Sequence, residues 1–121
     1  MLPPAHRLKK EKEIRRALAG KMRAGSDLLV CRAAPNDLGV ARFCFAVSKK
    51  ISNKAAVRNL LKRRLRAAVA RQLVRAGAAD CVLIARPGLE TRDYQEIIAC
   101  VDKVLRRAGI LKNAEGGVVG K

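Results

Sequence analysis

The sequence predicts an α+β fold, a single-domain α-β-β-α-β-α sandwich with helices packed on a small mixed sheet. Of its 121 residues 50% are apolar, enough for one packed core, while the length is too short for two. Segments of period 2 and period 3.6 alternate along the chain, separated by Gly, Pro, Asn and Asp. Residues 80–86, Asp-Cys-Val-Leu-Ile-Ala-Arg, form a near-continuous apolar run of the kind found in a strand covered on both faces.

A first helix is expected over 9–19, with Ile14, Ala17 and Leu18 on one face and Gly20 in the stop position. Residues 28–34 alternate between Gly25-Ser26 and Pro35-Asn36-Asp37 and read as a strand. A second strand follows over 40–48, where Phe43, Phe45 and Val47 point one way and Arg42, Cys44, Ala46 and Ser48 the other. The five residues between these strands suit a hairpin. The central helix is expected over 53–75, with Asn53 as N-cap and Gly77 beyond its end. After the strand at 80–86, Pro87-Gly88 breaks the chain. Asp93-Tyr94-Gln95-Glu96 has the spacing of a capping box for a last helix, closing at Gly109. Strand 40–48, helix 53–75 and strand 80–86 make a βαβ unit if the two strands are parallel. Residues 1–111 are expected to form the domain and 112–121 a flexible tail.

Charge narrows the function. Lys and Arg number 27 against 10 acids, a formal net charge of +17. Residues 49–75 carry ten of the bases and no acid. That much like charge on one element opposes folding through self-repulsion, so it points to a polyanionic partner: nucleic acid first, an anionic membrane surface or acidic protein after it. A solvated helix face normally interleaves both signs. A membrane-surface helix would need its apolar face free, and there is no Trp to anchor it. No apolar run is long enough to span a bilayer and the N-terminus has no secretion-signal pattern, so a cytoplasmic protein without a membrane partner is expected. The four cysteines lack a Cys-x-x-Cys pair and the single His is His6, so they read as reduced core residues and no zinc site is expected.

On a wheel of 100° per residue, Arg58, Asn59, Lys62, Arg63 and Arg66 share one arc of roughly 140°. Val57, Leu60, Leu61, Leu65, Ala67 and Ala68 lie opposite, with Arg64 and Arg71 inside the apolar arc, their stems covering the core edge. Arg58, Lys62 and Arg66 recur about 6 Å apart, and guanidinium forks bind phosphate oxygens bidentately. Asn59 adds a donor for a ribose hydroxyl or base edge. Ser48, Lys49, Lys50 and Lys54 add more near the positive end of the helix. Two Phe and one Tyr are too few for a sheet that stacks bases on exposed aromatics.

The runs Phe43-Cys44-Phe45-Ala46-Val47-Ser48-Lys49-Lys50 and Val57-Arg58-Asn59-Leu60-Leu61-Lys62-Arg63-Arg64-Leu65-Arg66 resemble the motifs of the bacterial ribonuclease P protein subunit family. So do Arg7-Leu8-Lys9-Lys10 and Val82-Leu83-Ile84-Ala85-Arg86-Pro87, and together the matches cover residues 1–111 in order. The resemblance implies a left-handed βαβ crossover and a protein that binds a large catalytic RNA and helps it cut the 5′ leader from precursor tRNA. It implies that Arg58, Asn59, Lys62, Arg63 and Arg66, with Lys49, Lys50 and Lys54, face the catalytic RNA. It implies a leader cleft at Ile14, Leu18, Leu29 and Arg32. Leu60 replaces the second Arg of the family's common Arg-Asn-Arg triplet, Ile14 and Leu18 stand where Phe is frequent, and Arg32 where an aromatic can occur. No catalytic residue and no direct metal ligand is expected on the protein, with Mg2+ bound mainly by the RNA subunit. A ribosomal RNA-binding protein and a DNA-compacting protein are the competing readings.

Overall fold

The computed structural model describes residues 2–111; the expected tail at 112–121 lies outside them. Four strands form one sheet in the order β1-β2-β4-β3, with β1 at Met22–Gly25, β2 at Leu29–Pro35, β3 at Arg42–Ala46 and β4 at Ala79–Ala85. Helices α1 (Glu11–Leu18), α2 (Ala55–Ala70) and α3 (Tyr94–Arg107) pack on it, with single 3-10 turns at Pro4–His6, Leu73–Arg75 and Leu89–Thr91.

β4 takes the centre because it is apolar on both sides. Cys81, Leu83 and Ala85 join the larger core with α2 and α3, while Val82 anchors a smaller cluster with Leu8 and Ala17 on the α1 side. β4 pairs antiparallel with β2 and parallel with β3, which establishes the β3-α2-β4 unit. The expected hairpin between strands 28–34 and 40–48 does not form: β4 lies between β2 and β3. Instead the connection after β2 crosses the start of β4, held by the Asn36 amide, which donates to Asp80 Oδ1 at 2.8 Å and to the Val40 carbonyl at 3.0 Å.

Strand β1 was not expected, since four residues with two apolar side chains give little periodic signal. It pairs antiparallel with β2 across the turn at Ser26, whose hydroxyl accepts from the backbone N–H groups of Leu28 and Leu29. Gly20 is required where the chain leaves α1, because a Cβ there would sit 1.9 Å from the Ala33 carbonyl oxygen. The capping box of α3 is present: the Asp93 carboxylate accepts from the Glu96 backbone N–H (2.9 Å) and Glu96 from that of Asp93 (3.2 Å). Gly109, at φ 83°, lets the Ile110 N–H turn back to the Leu105 carbonyl.

Helix α2 begins two residues later and ends earlier than the periodicity suggested, and its N-cap is Lys54, with no side-chain cap, in place of Asn53. All four cysteines carry free thiols, and Cys31 and Cys81 are buried in the larger core. Burial pushes the Cys81 thiol well above its ordinary range. Among the described residues no helix is long and apolar enough to cross a membrane.

Candidate nucleic-acid interface

The surface around α2 is built by how that helix docks. Its buried stripe is Leu61, Leu65, Ala68 and Val69, spaced i, i+4, i+7, i+8, and it packs on α3 and the 89–91 turn. The helix is therefore rolled toward its cationic side. Arg58, Lys62 and Arg66 are half-buried at the edge of the stripe, while Asn59 and Arg63 are exposed. Leu60, expected on the core side, is 39% exposed, because α3 selects the 61/65 stripe and leaves position 60 beyond its reach.

Ser48, Lys49, Lys50 and Lys54 are exposed on the loop before α2. That loop holds its shape through local bonds. The Ser48 hydroxyl accepts from the Lys50 N–H (3.2 Å), the Ser52 hydroxyl from the Lys54 N–H (3.1 Å), and Arg58 Nη1 donates to the Ser52 carbonyl (2.9 Å). Among the described residues, no carboxylate lies within 4.0 Å of any Lys or Arg in 49–75. Acids are committed elsewhere: Glu11 to Arg15, Glu13 to Arg42, Asp80 to Arg42 and Arg16, and Glu96 and Asp102 to arginines on or beside α3.

Beside α2 a cavity of about 210 Å³ opens between the N-terminal arm and β3. Leu2, Leu8, Phe43, Cys44 and Phe45 make its floor, and Arg7, Lys9, Lys62 and Arg66 its cationic rim. The arm is held there because the Leu8 N–H donates to the Phe43 carbonyl at 2.9 Å and His6 Nδ1 meets the Ala41 carbonyl at 2.7 Å. Burial raises the Cys44 thiol above its ordinary range despite the opposing pull of the Phe45 backbone and of Lys62, so at neutral pH it is a neutral floor residue.

The other half of the surface is the sheet face under α1. One eight-residue helix covers it, so Ile14, Leu18, Cys44 and Ile84 remain only half-buried around Leu8, Ala17 and Val82. Arg32 lies on this face, since its neighbours Cys31 and Ala33 turn to the larger core. Leu29 does not: three positions from Arg32 along β2, it faces the opposite side of the sheet and is fully buried in the larger core, so it does not join the other residues expected in the cleft. Arg23, which sequence reasoning missed, projects from the same face opposite Arg32. Its signal is the alternation Lys21-Met22-Arg23-Ala24, legible only once β1 is recognised.

Chemically, the surface offers guanidinium, ammonium and amide donors beside half-covered apolar side chains, a set suited to phosphates and unpaired bases. Among the described residues no group of three or more His, Cys, Asp or Glu side chains converges as a metal site. A ribonuclease P family profile matches residues 2–109. The chain is 35% identical over 116 residues to the ribonuclease P protein component of Microcystis aeruginosa, covering 91% of this chain and 96% of that one. It is 38% identical over 114 residues to that of Gluconacetobacter diazotrophicus, covering 91% and 97%. Its backbone superposes on the Staphylococcus aureus RNase P protein with a TM-score of 0.80 at 25% identity, covering 88% of this chain and 98% of that one.

Proposed function

The chain belongs to the ribonuclease P protein family, and we infer that it acts as the protein subunit of ribonuclease P. In that role it binds the catalytic RNA, holds the 5′ leader of precursor tRNA, and assists the endonucleolytic cut that leaves the mature tRNA 5′ end. The observation that carries the RNA-binding part of this reading is the absence, among the described residues, of any carboxylate near the ten cations of residues 49–75. A surface that leaves so much repulsion unrelieved inside the protein is relieved by a polyanion outside it.

We assign Arg58, Asn59, Lys62, Arg63 and Arg66, with Lys49, Lys50 and Lys54, to the catalytic RNA. Ile14, Leu18 and Arg32, on the half-covered sheet face, are assigned to the leader. The protein's part is neutralisation of phosphate charge and alignment of substrate on catalyst. Mg2+ sites are built from oxygen ligands, chiefly carboxylates and phosphates. The cationic face supplies no carboxylate, so the metal and the hydrolytic step are assigned to the RNA subunit. A cytoplasmic setting, with precursor tRNA as substrate, belongs to the same proposal.

The test is cleavage of precursor tRNA by a cognate ribonuclease P RNA at a magnesium concentration too low for the RNA alone. Added protein is expected to restore cleavage. No restoration, with binding to ribosomal RNA or duplex DNA of equal strength, would overturn the assignment in favour of a ribosomal or DNA-compacting protein.

A further inference from the structure

Two arginines stand directly across from one another at the open edge of the sheet. In the β1–β2 pair Arg23 is the register partner of Arg32. Directly paired residues project on one face with Cβ atoms about 5 Å apart, where like charges weaken a sheet. Nothing among the described residues relieves this pair. No carboxylate comes within 4.0 Å of either guanidinium. Arg23 Nε donates to the Gly20 carbonyl at 3.2 Å, and Arg32 has no acceptor among the described residues. Arg16, on α1, faces the same side of the sheet but is held by Asp80.

The pair also has a defined place in a longer track. Register partners run across the sheet as Arg23, Arg32, Val82 and Cys44. Cys44, at the far end, floors the cavity rimmed by Lys62 and Arg66. Three strand spacings make that row about 14 Å long. Cations thus bracket both ends of a face whose middle carries the half-buried Ile14, Leu18 and Ile84. An extended single strand fits such a layout, with backbone phosphates on the cations and bases over the apolar middle.

We propose that Arg23 and Arg32 form a phosphodiester clamp for the backbone of the single-stranded leader. The clamp rests on the reading above that this face receives the leader. A phosphate between the two guanidinium groups turns their repulsion into two charge-assisted, bidentate contacts. Because phosphate contacts carry no base information, the clamp accepts any leader sequence.

The test uses the reconstituted holoenzyme with Arg23→Gln, Arg32→Gln and the double variant. Ligands are leader-bearing precursor tRNA, the same substrate with single methylphosphonate linkages stepped along the leader, and mature tRNA. The double variant is expected to bind precursor tRNA about tenfold more weakly and to flatten its salt slope by about 1.4, two single-strand phosphate contacts' worth. Affinity for mature tRNA should not change. One neutral linkage should weaken the wild type by a similar factor and leave the double variant unaffected. Arg→Lys at both positions should recover most of the affinity. Melting temperatures of the Gln variants should equal or exceed the wild type, because a repulsion has been removed. Equal losses on precursor and mature tRNA, indifference to every neutral linkage, or a lowered melting temperature would each overturn the clamp. If wild-type protein fails to restore low-magnesium cleavage, the subunit reading falls. If it restores cleavage and the variants match it on precursor tRNA, the clamp alone falls.

Discussion

Asp80 is the residue on which the α1 face of the sheet closes at its end. It has no exposed surface, and Arg42 grips it through Nε and Nη2, both at 2.8 Å, while the Asn36 amide and Arg16 complete the set. One carboxylate thereby ties together β3, β4, α1 and the connection that crosses the sheet. Burial pushes its carboxyl up, but the hydrogen bonds and charge of Arg42, with Asn36 and Arg16, outweigh that and leave it below the ordinary 3.8. Its contribution is therefore fully present above the unfolded-state value and is lost as pH falls through the lower folded one. Replacing Asp80 by Asn removes the two-point carboxylate partner of Arg42, leaving it the single contact with Glu13, and should cost about 3 kcal/mol at neutral pH. Urea unfolding should show the gap between wild type and Asp80→Asn narrowing at pH about 3 relative to pH 7. A gap of constant size would mean that the ionised carboxylate is not the source. The sequence offered one hint of this role, an acid opening a strand otherwise apolar on both faces. The partners that make it a junction lie 38, 44 and 64 residues away and leave no local pattern.

At the scale of elements, α2 was the most legible part of the chain, because its charge and its 3.6 period coincide over sixteen residues. What the periodicity could not supply was the roll of the helix. A wheel shows which side chains are apolar, but the partner decides which of them are covered, and α3 covers Leu61 and Leu65 while leaving Leu60 out. The roll brings Lys62 and Arg66 to the rim of the cavity against β3 and fixes Arg58 over the Ser52 carbonyl. Arg58→Ala combined with Arg66→Ala should weaken binding to the catalytic RNA and flatten the salt slope by about one for each phosphate contact removed. Far-ultraviolet circular dichroism should be unchanged, since neither side chain belongs to the buried stripe. Arg58→Ala alone should exceed Arg66→Ala alone, because it also frees the loop carrying Lys49, Lys50 and Lys54. An unaltered affinity and slope in the double variant would remove this face from the interface.

Over the whole molecule, the sequence predicted the α+β class, left the β3-α2-β4 unit conditional on a parallel pairing that the structure supplies, and misjudged the order of strands. Short loops favour neighbours in sequence as neighbours in space, and the five residues between the first two expected strands argued for a hairpin. The competing demand is burial: the run at 79–85 is apolar on both faces, so it takes the centre and parts β2 from β3. β1, too short to show a period, caps the far edge and brings Arg23 to the α1 face unseen. The same architecture sorts charge. The acids of the described residues sit mainly on α1, β4, α3 and their connections, while the α2 side keeps its cations unpaired. At a net charge of +17, the folded protein works against its own field, and that field is also what draws RNA. Salt should then act on the two properties with opposite signs. Raising it from about 50 to 200 mM should lift the melting temperature of the free protein by a few degrees, as counterions screen repulsion that the unfolded chain feels less. Over the same interval, affinity for the catalytic RNA should fall about a few hundredfold if roughly five phosphates are engaged. Thermal melts and binding isotherms on the same salt series check the pair of slopes. Melting temperature and affinity falling together would show that attraction within the protein outweighs repulsion, and the charge would no longer explain why RNA binds.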